Sequence, residues 1–267
     1  MSSVRAWLAI ARWRNAALAA AGVFAAAWWS AGRIDMRVAL VAVAAIALTA
    51  LANTVNDLAD VDIDRVAHPG RPLPSAAIRP RAAVWFAVGC AVFSVVLLTF
   101  INLGLALLTL PVIGLMCTYS AWFKRRGVPG NLLVALLASL PFFYGAWVVG
   151  RPARGLLLTM IALPLHFARE VAKDVDDVAG DVASRRTLPL AQGVRIARFA
   201  AVAGVLVYTL AVALIAPAYP LFALLLVPTI FLAALAMRRL VLARNGSAEL
   251  LKAAMALAIV ALVVSGR

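Results

Sequence analysis

Residues 36–64 run MRVALVAVAAIALTALANTVNDLADVDID. From Val38 to Val55 there is no charge, and only Thr49, Asn53 and Thr54 are polar; Asp57, Asp60, Asp62 and Asp64 then follow within eight positions. About twenty consecutive apolar residues match the hydrocarbon thickness of a bilayer, whereas clustered carboxylates are costly near lipid and mark function by default. The stretch therefore predicts a membrane-spanning helix that delivers a group of acids to one membrane face.

Working outward, comparable apolar runs occupy 6–31, 36–56, 82–102, 104–122, 131–150, 154–172, 195–216, 219–238 and 247–265. They are apolar on both faces, unlike the alternating ten-residue segments of a membrane β-barrel. The expected fold is all-α, a polytopic membrane protein with nine transmembrane helices in one bundle, the whole of residues 1–267 forming a single domain. Composition agrees: of 267 residues, 65% are hydrophobic and 13% charged, with mean hydropathy +1.00, whereas a soluble domain carries roughly a quarter charged residues. Arg12 and Arg14 interrupt the first run where a signal peptide needs unbroken apolar sequence, so an uncleaved first helix is expected. Cys90 and Cys117 lie inside apolar runs and read as packing residues, with no thiolate metal spacing.

The net charge of +14 would point to nucleic acid in a soluble protein; in a membrane protein it orients the chain. With the N-terminus cytoplasmic, the inner segments hold 20 of the 25 basic residues, and the outer ones only Arg33, Arg37, Arg151, Arg154 and Arg267. Nine helices place the C-terminus outside. Ten of the eleven acidic residues also fall on the inner side, eight of them in two clusters: Asp57, Asp60, Asp62, Asp64, and Asp174, Asp176, Asp177, Asp181.

Both clusters contain D-x-x-D-x-x-x-D. Positions i, i+3 and i+7 lie within about 60° around a helix. Asp57, Asp60 and Asp64 thus form one carboxylate stripe, Asp174, Asp177 and Asp181 another, and Asp62 and Asp176 fall off them. Two facing stripes carry too much negative charge to persist alone. Mg2+, which uses one or two carboxylates plus phosphate oxygens, balances it, and Arg65, Arg71, Lys124, Arg169 and Lys173 are suited to the phosphates. The constellation reads as a metal-bridged diphosphate site.

These residues resemble the UbiA superfamily of intramembrane prenyltransferases. Asn56, Asp57, Asp60 and Asp64 match its N-D-x-x-D-x-x-x-D motif after helix 2, and Asp174, Asp177 and Asp181 its second aspartate motif after helix 6. Residues 68–75, His-Pro-Gly-Arg-Pro-Leu-Pro-Ser, resemble its R-P-x-P-S-G loop, with Ala76 in place of glycine. Arg12 and Asn15 match the ends of an R-P-x-N segment whose proline is here Trp13. The resemblance runs from helix 1 to at least Pro189, and the last three helices rest on the helix count. It implies a central cavity in which Mg2+ holds an isoprenyl diphosphate. Asn56, Asp57, Asp60, Asp64, Asp174, Asp177 and Asp181 would hold the metal. Asn15, Asn56, Arg65, Arg71, Tyr119, Lys124, Arg169 and Lys173 would contact the diphosphate, and Asp60, Asp64, Asp177, Asp181 and Lys124 would carry the chemistry.

Within the family, Tyr119-Ser120 through Lys124-Arg125-Arg126 to Gly130-Asn131, Pro141 to Gly145, and Arg169-Glu170-Val-Ala-Lys173-Asp174 look similar to digeranylgeranylglyceryl phosphate synthases. The favoured acceptor is accordingly a glycerol-phosphate ether lipid such as geranylgeranylglyceryl phosphate. An aromatic acceptor of the 4-hydroxybenzoate or homogentisate type is the alternative, and a cation transporter a more distant one. The expected partners are the polyprenyl diphosphate, the acceptor and membrane lipids, with no nucleic acid and no obligatory protein. Arg125 and Arg126 read as orientation markers, His166 as a core residue, and Trp28, Trp29 and Trp147 as an interfacial belt. Phe142, Phe143 and Tyr144 are candidates to line a carbocation pocket.

Overall fold

A computed structural model describes residues 3–123, 126–178 and 187–266. Among them the chain is helical without strands: α1 (Ser3–Ile10), α2 (Trp13–Ala31), α3 (Met36–Ala59), α4 (Val61–Ala67), α5 (Pro80–Ile101), α6 (Leu103–Ala121), α7 (Val128–Val148), α8 (Pro152–Asp176), α9 (Leu188–Gln192), α10 (Val194–Ile215), α11 (Pro220–Leu225), α12 (Val227–Val241) and α13 (Ser247–Ser265). Local chemistry sets the boundaries. Asp35 caps α3 by accepting from Val38 N–H at 3.1 Å, and Asn102 caps α6 through Leu105 N–H at 3.0 Å. Pro80, Pro152 and Pro220 open their helices, where a missing N–H costs nothing.

Eight helices among the described residues are long and apolar enough to cross a membrane, α11 and α12 counting as one span over Pro220–Val241. The expected nine is thereby corrected. The run at 6–31 divides at Arg12, whose φ of 48° and ψ of 59° are left-handed, and the remaining rod, α2, begins with Trp13-Arg14-Asn15. That polar first turn lowers its hydropathy below the others. Still, its nineteen residues reach about 28 Å at 1.5 Å per residue, and it packs along α3 and α7. Gly145 of α7 explains the closeness: a Cβ there would lie 2.2 Å from the carbonyl oxygen of Val23. Such small-residue contacts let backbones meet where lipid supplies no hydrophobic drive between helices.

The core has two halves. One gathers buried residues of α8, α10, α12 and α13; the other those of α3, α5 and α6. α2 and α7 contribute to both, Trp29 and Phe142 on one side, Val23 and Tyr144 on the other. A smaller cluster packs Ala6 and Ile10 of α1 against Leu73, Ile78 and Ala83, so α1 and the 68–79 segment cover the end of α3.

The rods alternate in direction. At one end lie Arg12, the C-terminus of α3, the N-terminus of α7, the C-terminus of α8 and the N-terminus of α13, linked by Arg12–Asp57, Asn131–Asp174 and Ala248–Asp176 contacts. At the other, Trp28 donates to Val263 O at 3.0 Å and Arg154 to Ser30 O at 2.6 Å. Both aspartate motifs therefore share one end, where the two halves of the core meet. Of the cysteines, Cys90 is half-buried and Cys117 faces outward.

Candidate active site

The first motif sits where α3 gives way to α4. Asp60 occupies the joint at φ −99° and ψ 1°, yet helical hydrogen bonding passes through it: Asp60 N–H donates to Asn56 O at 3.1 Å and Asp64 N–H to Asp60 O at 2.8 Å. The i, i+3, i+7 stripe survives the bend. Asp57, Asp60 and Asp64 are 6%, 5% and 0% exposed, whereas Asp62 points outward and pairs with exposed Arg65 at 2.7 Å.

Buried carboxylates need partners. Arg12 Nη2 donates to Asp57 Oδ1 at 2.7 Å, Arg71 Nη1 to Asp64 Oδ2 at 2.5 Å, and Asn56 Nδ2 to Asp60 Oδ2 at 3.4 Å. Arg12 is placed by the break between α1 and α2, which Asn53 steadies by donating to Ala11 O at 3.2 Å. A non-glycine residue held left-handed costs about 1–2 kcal/mol; here that conformation aims a guanidinium at the end of α3. Asn15 follows one turn later, half-buried, its N–H on Arg12 O at 2.8 Å. Arg12, Asp57, His68 and Arg71 line an open cavity of about 390 Å³, together with Ala9, Gly70 and Pro72.

The second motif rides on the last turn of α8. Asn131, in the first turns of α7, donates through Nδ2 to Asp174 Oδ2 at 3.0 Å. Asp177 caps the helix, its N–H on Lys173 O at 2.9 Å, and is exposed. Asp176 turns the other way, accepting from Ala248 N–H at 3.3 Å. Arg169 is engaged by its neighbour Glu170, whose carboxylate also feels the charge of Lys173. Tyr119, half-buried near the end of α6, ties the motifs together: its hydroxyl lies within electrostatic range of Asp60, of Asp174 and Glu170, and of Arg12.

The structure thus brings Asn56, Asp57, Asp60, Asp64, Arg71, Tyr119, Arg169, Lys173 and Asp174 to one end of the bundle, and sets Arg65 on an exposed ion pair beside it. Lys124 and Asp181 lie outside the described residues. Arg12, Asn131 and His68 are additions. Arg12 lies in the R-x-x-N match and Asn131 in the Gly130-Asn131 pair, but neither spacing reveals a partner 45 or 43 positions away. Arg126 stacks over the Trp122 ring at 3.7 Å, consistent with an interfacial role. Tyr144 is committed to Thr109 at 2.8 Å and Phe143 to Trp147 at 5.2 Å, while Phe142 and His166 line a separate apolar cavity of about 40 Å³.

The donors of both motifs are carboxylate and amide oxygens, the hard set that suits Mg2+. Among the described residues no three His, Cys, Asp or Glu side chains converge into a ready cage.

Residues 17–263 match the UbiA prenyltransferase family. The chain belongs to that family. As a UbiA family member it is a prenyltransferase and an integral membrane protein. It is 37% identical over 216 residues to the digeranylgeranylglyceryl phosphate synthase of Methanopyrus kandleri, covering 80% of this chain and 78% of that one. A solved structure concerning digeranylgeranylglyceryl phosphate synthase in membranes superposes with a TM-score of 0.80 at 24% identity, over 100% of this chain and 99% of that one. A UbiA homologue from Archaeoglobus fulgidus bound to DMAPP and Mg2+ superposes with a TM-score of 0.71 at 17% identity, over 97% and 98% of the two chains. These two likenesses show that the described residues share the fold of those proteins.

Proposed function

We propose that this UbiA prenyltransferase transfers a polyprenyl group from an allylic diphosphate to a hydroxyl of a glyceryl phosphate ether lipid, with Mg2+ as cofactor and pyrophosphate as leaving group. The observation that carries the reading is the convergence of two aspartate motifs, from opposite halves of the core, on the same bundle end as Arg12, Arg71 and Tyr119. Bound there, Mg2+ would neutralise diphosphate oxygens and make the diphosphate a better leaving group.

The chain's own residues do the rest. Asp57, Asp60, Asp64, Asp174 and Asp177 supply the carboxylates, with Asp181 of the second motif as a further candidate by sequence. Arg71 and Arg12 face the diphosphate as fixed cations that favour charge on the departing group. Tyr119 offers a hydroxyl between the motifs, and Lys124, Lys173 and Arg169 add positive charge. As the allylic C–O bond breaks, its electron pair leaves with pyrophosphate; the acceptor oxygen then bonds to the allylic carbon and its proton is released. The apolar bundle shields the cationic carbon from water.

Similarity to the Methanopyrus kandleri synthase over four-fifths of the chain favours the glyceryl phosphate acceptor. Motif carboxylates at helix ends, rather than in broken helices at mid-membrane, suit a diphosphate site better than an ion path. The motif end carries most of the basic residues, which favours a cytoplasmic site with the C-terminus opposite, and the chain would work as one domain. Mass spectrometry of products from geranylgeranyl diphosphate, offered geranylgeranylglyceryl phosphate alongside hydroxylated aromatic acids, tests the assignment. A digeranylgeranyl ether is expected; a prenylated aromatic as the only product would overturn the acceptor.

A further inference from the structure

Asp176 lies between Asp174 and Asp177, but its side chain leaves the diphosphate site. Its Oδ2 accepts from Ala248 N–H at 3.3 Å, and the N–H groups of Gly246 and Ser247 are directed at the same carboxylate. α13 needs this acceptor. The first N–H groups of a helix lack intrahelical partners, and its own N-cap, Gly246 at φ 87°, has no side chain to offer. The first two residues of the helix are buried, Ser247 0% and Ala248 8% exposed, so water reaches their N–H groups poorly. Ser247 Oγ also donates to Ala236 O at 3.2 Å, fastening α13 to α12. The carboxylate of α8 is therefore the cap of α13, seated against its positive dipole end.

We propose that Asp176 is a positioning residue for the second aspartate motif: by capping α13 from the last turn of α8, it holds Asp174 and Asp177 in the orientation that binds metal and diphosphate. That last turn is gripped from two sides, Asp174 by Asn131 of α7 and Asp176 by α13. Groups that orient metal-binding side chains without touching the metal often control affinity, and three carboxylates within four positions can be divided between ligation and support only if one is turned away. The inference rests on the metal–diphosphate reading above.

The test uses the full chain in detergent, with Mn2+ as the spectroscopic probe in place of Mg2+ and inorganic pyrophosphate as the anion. Free Mn2+ is read by electron paramagnetic resonance, and amide exchange is followed in peptides covering 173–178 and 246–250. Asp176→Ala is expected to raise the Mn2+ half-saturation about tenfold and to speed exchange in both peptides. Asp176→Asn, which keeps a carbonyl acceptor, should stay within about threefold of wild type and serves where the alanine variant does not fold. Wild-type Mn2+ affinity in Asp176→Ala, with exchange accelerated, would overturn the positioning role. So would equal losses in both variants with exchange unchanged, since Asp176 would then act as a ligand. Wild-type protein that takes up no Mn2+ with pyrophosphate would instead overturn the metal reading itself.

Discussion

Arg12 Nη2 lies 2.7 Å from Asp57 Oδ1, joining the break before α2 to the first carboxylate of the N-D-x-x-D motif. The guanidinium is about one-third exposed and the carboxylate nearly buried, at 31% and 8% of their side-chain surfaces. Arg12→Ala removes the cation and leaves Asp57 without this partner. Loss of one member of a buried pair costs 3–5 kcal/mol; solvent access to Arg12 reduces that to about 1–2 kcal/mol. A lower melting temperature and an increase of about tenfold in the Michaelis constant for the diphosphate are expected, read by thermal unfolding and pyrophosphate release. Arg12→Lys should recover stability better than affinity, because lysine lacks the planar fork.

Asn131 donates to Asp174 at 3.0 Å. Asn131→Ala removes one hydrogen bond to a charged group, worth about 1.5–3 kcal/mol. Asn131→Asp sets two carboxylates at the same separation and should be the more damaging, with turnover reduced at least about tenfold at low Mg2+ and partly restored as Mg2+ is raised. Titration of initial rates against Mg2+ checks this; equal damage at every concentration would argue against a metal beside Asp174.

Arg65 resembles a phosphate ligand by position, but its pair with Asp62 is exposed, at 63% and 82% of the side-chain surfaces. Exposed ion pairs contribute about 0–1 kcal/mol. Arg65→Ala should change turnover less than about twofold in steady-state assays, whereas Arg71→Ala should raise the Michaelis constant for the diphosphate about tenfold, since Arg71 bonds buried Asp64 and lines the cavity.

Chelation by EDTA should abolish turnover and Mg2+ restore it, with the protein folded throughout, because the fold rests on helix packing and not on the metal. Asp60→Ala and Asp177→Ala should be inactive at all Mg2+ concentrations while circular dichroism remains that of wild type. Appreciable activity in either would remove that residue from the metal set.

Gly145→Ala places a Cβ 2.2 Å from Val23 O, a backbone contact that no rotamer change relieves. Overpacking of this kind costs about 1–3 kcal/mol. The melting temperature should fall without a change in Mg2+ half-saturation, separating the α2–α7 seam from the site it supports.

Much of this was legible in the chain because two periods are local. Apolar runs of bilayer length announce helices, and the i, i+3, i+7 spacing placed Asp57, Asp60 and Asp64 on one buried stripe and Asp62 outside it. The fold tolerates the joint at Asp60 because helical hydrogen bonds continue through it. The run at 6–31 was misread as one helix for a different reason: nothing in Arg12-Trp13-Arg14 is a helix breaker, and the left-handed turn is held by Asp57 and Asn53, both more than forty positions away. The span expected at 219–238 holds as one crossing over Pro220–Val241, in which α11 and α12 meet near Pro228, which has no N–H to carry the helix across.

Composition and charge order were enough for the membrane bundle, the shared end of both motifs and their hard oxygen donors, since hydropathy, charge sign and helical period need no distant partner. Tertiary structure alone decided which donor meets which carboxylate: Arg12 on Asp57, Arg71 on Asp64, Asn131 on Asp174, and Asp176 turned away to cap α13. Those pairings depend on which helix ends are packed side by side, and burial there makes each carboxylate take whatever donor the packing brings.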